Sequence, residues 1–304
     1  MKKAALILVL GMTGALWGAS AVHAVTVGPV RLDFFVNPGD TASGTIMVQN
    51  EQNQAETFYP SFQKFTENNG VKSFTNDPSD LPGWFTLPSS VTLKAGEQKT
   101  IPFTVTVPKN AAPGGHFAVM WWGTAPSTAA DGQQVSVVTR AGILIYMTVA
   151  GDIHEGMTVT DFSANGGGSF FFGYPINFSS SLFNEGNVYE TPTGTVAVYN
   201  TLGMLSTQLP INPNGSSVLP QSTKQFSAMW ASNPWAFGVY HAVLTVSYGQ
   251  NSQTITASKW FFVLPLWTTL GVIIVLILIF WVLPGGVKRY NRWIVKEASK
   301  SHGS

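Results

Sequence analysis

The chain has 304 residues, with 45% hydrophobic and only 10% charged residues, no cysteine, and a formal net charge of +1 at pH 7. The lack of cysteine excludes disulfides, thiolate metal sites and cysteine nucleophiles. Between Val25 and Lys259 nine basic residues face 14 acidic ones, a balance of −5, so this stretch has no basic stripe for nucleic acid.

At the start, Lys2 and Lys3 precede an apolar run from Ala4 to about Trp17, and small residues follow. This pattern predicts a secretory signal peptide over 1–24, with Val22-His23-Ala24 as the cleavage signature and Ala19-Ser20-Ala21 as a second choice. An uncleaved N-terminal anchor is the alternative. An exported region without disulfides rests on its hydrophobic core alone, which fits a bacterial envelope.

Everything from Val25 to about Lys259 reads as strands and turns. Thr100–Val107 alternates, with Ile101, Phe103, Val105 and Val107 on one face, the period of a half-buried strand. Gly44–Gln49, His116–Trp122, Val135–Thr139 and Gly142–Val149 behave alike. Turn chemistry separates them at Asn37-Pro38-Gly39-Asp40, Ala95-Gly96-Glu97 and Ala112-Pro113-Gly114-Gly115. Thr124–Gln134 lacks apolar anchors and predicts an exposed, mobile hairpin tip. A boundary near Gly151–Gly156 divides a first β-sandwich, 25–151, from a second, 152–262. In the second, Ala164–Ser169 predicts a flexible loop. The fold class is all-β: two tandem Ig-like β-sandwich domains followed by a single transmembrane α-helix.

That helix is predicted over 263–284. No charged residue occurs between Trp260 and Val287, and Pro265 and Pro284 flank the apolar run Leu266–Leu283 at its centre. A helical span needs about 20 apolar residues. The tail, 285–304, carries Lys288, Arg289, Arg292, Lys296 and Lys300, which predicts a cytoplasmic C-terminus and an outward N-terminal region. Trp260, Trp267, Trp281, Lys288, Arg289 and Trp293 are the expected membrane-interface anchors.

The chain contains no G-x-S-x-G, H-E-x-x-H, P-loop or dinucleotide motif. His116, His154 and His241 are far apart and read as surface or edge histidines. Asp77-Pro78-Ser79-Asp80 reads as a plain turn, since two carboxylates are a poor calcium cage. The expectation is a non-enzymatic protein without cofactor or metal. The adjacent pairs Trp84-Phe85 and Trp121-Trp122 are the stronger signal. Neighbours in a strand point to opposite faces, so one of Trp121 and Trp122 should point outwards. Trp84, Trp121 and Trp122 are therefore ligand-binding candidates, for stacking on sugars or anchoring a protein.

The series VRLDFFVNPGDTASGTIMVQN, LPSSVTLKAGEQKTIPFTVTVP, PGGHFAVMWW and VVTRAGILIYMTV resembles the N-terminal Ig-like domain of bacterial surface proteins of the WxL-interacting type. The resemblance implies a signal peptide, two sandwiches, one C-terminal helix and a short basic tail. It also implies that the first domain is associated with peptidoglycan and the second with other surface or host proteins; the expected function is display of these domains to bind peptidoglycan or a partner surface protein. The same strand order is similar to the first domain of periplasmic pilus chaperones, where two basic residues hold a partner's terminal carboxylate. That likeness puts Arg31 and Arg140 among the ligand-binding candidates and implies, as the alternative function, capture of a partner strand at a sheet edge. A cell-wall or glycan hydrolase is a third reading with no motif behind it.

Overall fold

The computed structural model describes residues 25–124, 139–231, 233 and 236–301, with side chains as far as Trp293. The predicted signal peptide, most of the expected hairpin tip at Thr124–Gln134 and most of the expected strand Val135–Thr139 lie outside the described residues. The chain divides into two compact units between His154 and Glu155, with the short segment Glu67–Val71 counted with the second.

The first unit is a β-sandwich of ten strands: β1 Val25–Gly28, β2 Arg31–Val36, β3 Thr41–Asn50, β4 Glu56–Asn68, β5 Val71–Thr75, β6 Phe85–Thr86, β7 Val91–Leu93, β8 Gln98–Thr106, β9 Gly114–Gly123 and β10 Arg140–Val149. One sheet runs β1-β3-β8-β6 and the other β2-β10-β9-β4-β5, with β7 paired to β4. The first strand changes sheets: β1 pairs antiparallel with β3, and two residues later β2 pairs parallel with β10. Period-two patterning explains the core. On β8, Ile101, Phe103 and Val105 are buried while Pro102, Thr104 and Thr106 are exposed. They meet Ile46 and Val48 of β3, Phe58 of β4, Trp122 of β9 and Ile143, Ile145 and Met147 of β10. The long strand β4 was not evident in the sequence, because its central burial is intermediate on both faces rather than alternating.

The second unit holds β11 Met157–Ala164, β12 Phe170–Phe171, β13 Ile176–Asn184, β14 Thr193–Asn200, β15 Leu205–Ile211, β16 Thr223–Trp230, β17 Gly238–Tyr248 and β18 Gln253–Val263. They form a three-stranded sheet, β11-β13-β16, and a five-stranded sheet, β12-β18-β17-β14-β15. The core brings together Phe178, Leu182, Val196, Val198, Trp230, Leu244 and Phe261. The segment read as a flexible loop contains a 3-10 turn, Asn165–Gly167, tied down by Asn177 N–H donating to Asn165 Oδ1 at 2.8 Å.

After Leu264 and Pro265 comes α1, Leu266–Ser301. Its Leu266–Trp293 portion is long and apolar enough to cross a membrane; its most apolar 18-residue window has a mean hydropathy of 2.7 and is not buried inside the protein. Residue 263 belongs to β18, and α1 does not stop at Pro284 but runs on through the basic segment. Pro284 removes the backbone donor that would meet the Phe280 carbonyl, and the helix nonetheless continues past it. Beyond it lie good helix formers: Lys, Arg, Glu and Ala.

Candidate functional site

Strands β9 and β10 lie antiparallel, with Trp121 opposite Gly142 and Trp122 opposite Ala141. Alternation sends Ile143, Ile145 and Met147 inwards, so Arg140, Gly142, Leu144 and Tyr146 share the outer face. Trp121 lies on that face, flat across Gly142. A Cβ at position 142 would stand 2.7 Å from the Trp121 ring and 2.9 Å from Val119 Cγ2, so only glycine leaves the indole this room. The Arg140 guanidinium sits over the Trp121 ring at 4.3 Å, and Trp121 Nε1 donates to Gln63 Oε1 at 2.9 Å. Phe74 meets the indole edge-on at 5.4 Å. Each contact contributes about 0.5–1.5 kcal/mol, enough together to hold the indole in one orientation.

Beside this platform, part of the β10 edge has no partner strand among the described residues. Strand β2 pairs with β10 only from Leu144 to Val149. Leu144 N–H donates to Val30 C=O at 3.0 Å, the first bond on that side. Arg140–Ile143 pair with β9 on one side and, among the described residues, with no strand on the other. Backbone groups of a strand point alternately to its two sides. Since Leu144 faces β2, Gly142 and Arg140 turn their N–H and C=O groups to the same side. A single added strand would satisfy them.

The structure separates the predicted site residues. Trp122 is fully buried in the core and Trp84 is 8% exposed, so neither presents a face to a ligand. The sequence favoured both because adjacent aromatics in a strand guarantee one outward ring but do not say which. Trp121 is the outward one. Arg31 and Arg140 share a sheet face but do not converge. Arg31 is in register with Leu144, four residues along β10 from Arg140, which is about 13 Å at 3.3 Å per residue. Arg31 is also committed: it pairs with Asp33 at 2.5 Å and stacks over Tyr146 at 3.7 Å. Gln63, Phe74 and Gly142 were not singled out from the sequence. Only Gly142, a glycine inside an apolar strand, carried a local signal; the others depend on strand register.

A second cluster deserves a chemical test. Asp80 Oδ1 caps the 3-10 turn Leu81–Trp84 by accepting from Leu81 N–H at 2.8 Å. The same oxygen lies 2.5 Å from His116 Nδ1, and Lys64 Nζ is 2.6 Å from Asp80 Oδ2. His116 Nε2 faces the Ala112 carbonyl at 2.9 Å. Burial disfavours charge on both partners, but the hydrogen bonds outweigh it. Asp80 is held well below the usual carboxylate range by His116, Lys64 and Leu81 N–H, and His116 is raised by Asp80 and the Ala112 carbonyl. Both imidazole nitrogens thus meet oxygen acceptors. The favoured form is the imidazolium, which has no lone pair to act as a base. His116 is therefore not the surface histidine expected but part of an ionic clasp, packed at 4.8 Å against Trp84. Asp77-Pro78-Ser79-Asp80 is a turn, as read, with Asp77 accepting from Ser79. Among the described residues no group of three or more His, Cys, Asp or Glu could hold a metal ion.

The membrane-end residues Trp260, Trp267, Trp281 and Trp293 are all exposed, and Lys288 and Arg289 lie on α1. Trp260 stacks on His241 with centroids 4.1 Å apart.

No protein-family model matches the chain, and no curated protein matches it in sequence. Among solved structures it is similar to the class 5 fimbriae chaperone CfaA, at 14% identity over 77% of this chain and 98% of that one, with a TM-score of 0.43. It is also similar to a chain of the Salmonella enterica SafA pilin–SafB chaperone complex (15% identity, 79% and 99% covered, TM-score 0.38). A third is the E. coli chaperone DraB (12%, 78% and 94%, TM-score 0.35). At such identities the likeness is one of β-sandwich fold.

Proposed function

We propose that this protein is a non-enzymatic, membrane-anchored envelope protein that holds a partner surface protein at the edge of β10. The observation that carries the reading is the stretch Arg140–Ile143, which has a strand on one side only among the described residues, beside the Trp121–Arg140 stack. Unpaired backbone groups supply affinity for an extended segment, and an indole with a guanidinium supplies an anchor for its side chains. A glycan would use the indole but leave the backbone edge unpaired, so a protein partner fits better than peptidoglycan. The helix fixes the protein in the cytoplasmic membrane, and the basic tail favours the cytoplasmic side for the C-terminus. The sandwiches then stand outside.

The test is photocrosslinking of the full chain in its native cells. A benzophenone amino acid at Arg140 or at the neighbouring Thr139 should trap one and the same envelope protein, while the same group at Gln250 should not trap it. Equal yields from all three positions, or co-sedimentation with purified cell-wall sacculi without any protein adduct, would overturn the strand-capture reading.

A further inference from the structure

The exposed apolar side chains of the second sandwich are distributed with a strong bias. In the five-stranded sheet they are Phe170, Leu202, Met204, Leu205, Trp260 and Phe262. Register places all of them at one end. Gly238 is opposite Val263, Asn200 opposite Tyr240, Tyr199 opposite Leu205, and Phe170 opposite Phe262. Leu202 and Met204 belong to the turn that joins β14 to β15, closed by Asn200 N–H donating to Met204 C=O at 2.9 Å. At the other end of the same sheet the β17–β18 turn carries exposed Gln250, Asn251 and Ser252.

The apolar end is the one from which the helix leaves. Only Leu264 and Pro265 separate Val263 of β18 from Leu266 of α1. Fully extended, that link spans about 10 Å at roughly 3.5 Å per residue. The headgroup layer on each side of the hydrocarbon core is about 5–8 Å thick. If α1 crosses the bilayer, even a fully extended link carries this end only a few ångströms beyond the headgroups, so it lies against them. Tryptophan favours that layer, and Trp, Phe and Leu make up the faces that interfacial segments bury at its edge. Phe170 stacks on Phe262 at 4.8 Å and Trp260 on His241, yet Trp260 remains 60% and Leu202 79% exposed. Such exposure is costly in water and favourable among lipid headgroups.

We infer that this end of the second sandwich is a lipid-binding foot, with the β14–β15 turn and the Phe170–Phe262 and Trp260 face seated in the bilayer interface beside the span. The inference rests on the membrane-anchored part of the proposed function, and not on the partner. It makes the sandwich a multi-point support in place of a domain swinging on a two-residue link.

The chain has no cysteine, so single labels can be placed without removing any. Leu202→Cys, Gln250→Cys and Val275→Cys, each carrying an environment-sensitive fluorophore, would be reconstituted as full chains in phosphatidylcholine–phosphatidylglycerol vesicles. The expected result is that shallow doxyl lipids quench the label at position 202, and that iodide quenches it several-fold less than the label at 250. Deep doxyl lipids should quench the label at 275. A label at 202 as open to iodide as that at 250, with 275 still lipid-quenched, would remove the foot and leave the span. Protection from iodide without lipid quenching would mean that a second copy covers the face, which also overturns the inference. Loss of lipid quenching at 275 would sink the membrane reading itself. Met204→Cys serves as the second position should Leu202→Cys disturb the turn.

Discussion

Glu190 offers a quantitative test of how the second sandwich is held together. It is 4% exposed and forms the bridge to Val218, with Glu190 N–H donating to Val218 C=O at 2.9 Å. Its Oε2 accepts from Gly249 N–H at 2.9 Å, and its Oε1 has no hydrogen-bond partner. Glu155 stands on the same turn, accepting from Gln250 N–H at 3.1 Å. Burial, helped by the negative charge of Glu155 and opposed by Gly249 N–H, pushes the Glu190 carboxyl from 4.5 up to about 7. A carboxyl raised on folding contributes stability that is full below about pH 4.5 and is lost as pH rises through about 7. At about 1.4 kcal/mol for each pH unit between the two values, ionised Glu190 costs the sandwich about 3 kcal/mol. Most of that, about 2–3 kcal/mol, separates pH 5 from pH 8. Glu190→Gln keeps an oxygen for Gly249 N–H and never ionises. Hydrogen exchange of the β17 amides in the full chain, corrected for the intrinsic rate, reads the opening free energy of this sandwich. The wild type should lose about 2–3 kcal/mol from pH 5 to pH 8, and the variant should lose far less. Equal losses in both proteins would refute the assignment of the pH dependence to Glu190.

Three further outcomes follow from the first sandwich. Trp122→Ala should cost about 3–5 kcal/mol as a core cavity, while Trp121→Ala should cost no more than about 2, a contrast that urea titration monitored on β9 amides would show. Gly142→Val should displace the Trp121 ring, remove its bond to Gln63 and lower photocrosslinking from Arg140, with the fold retained by circular dichroism; undiminished crosslinking would separate the indole from partner capture. Asp80→Asn should cost about 2–3 kcal/mol near pH 6, because it leaves His116 and Lys64 without their shared carboxylate. In the wild type this contribution is full below about pH 6.5, fades as pH rises through the raised value of His116, and fades again in acid as pH falls through the depressed value of Asp80. A variant whose deficit stayed constant from pH 5 to pH 9 would contradict the clasp.

Strand existence was legible wherever one face is buried and the other wet, as on β8 and β18. It was not legible on β4, whose pairing with both β9 and β7 leaves most of its residues half-buried. The continuation of α1 through Pro284 and Gly285-Gly286 was not legible, since both are local stop signals. Of the candidate site, composition identified the tryptophans and arginines but could not orient them. A one-residue change of register would have exchanged Trp121 for Trp122, and no local pattern fixes that register in a strand flanked by bulky residues on both faces. That β2 covers β10 only from Leu144 onwards was invisible in the sequence, since it depends on where β2 starts relative to β10, a contact across more than 100 residues.

What replaces disulfides in these sandwiches bears on how each is held together. Three buried asparagines close turns at strand ends. Asn50 Nδ2 donates to the carbonyls of Gln54, Leu93 and Lys94, and its Oδ1 accepts from Gln52 N–H. Asn184 Nδ2 donates to Val188 and Val218 carbonyls and its Oδ1 accepts from Gly186 N–H. Asn212, in the left-handed region at φ 48°, does the same for Pro192 and Ser216. Asparagine reaches that region more readily than other side chains, and one amide satisfies up to four backbone groups. Each buried amide therefore fixes a connection that a cystine would otherwise clamp. With its turns tied this way and its sheets packed on Trp122 and Phe261, each sandwich is held without a covalent clamp. A partner strand at Arg140–Ile143, as proposed, would add to a framework already closed, beside the indole held across Gly142.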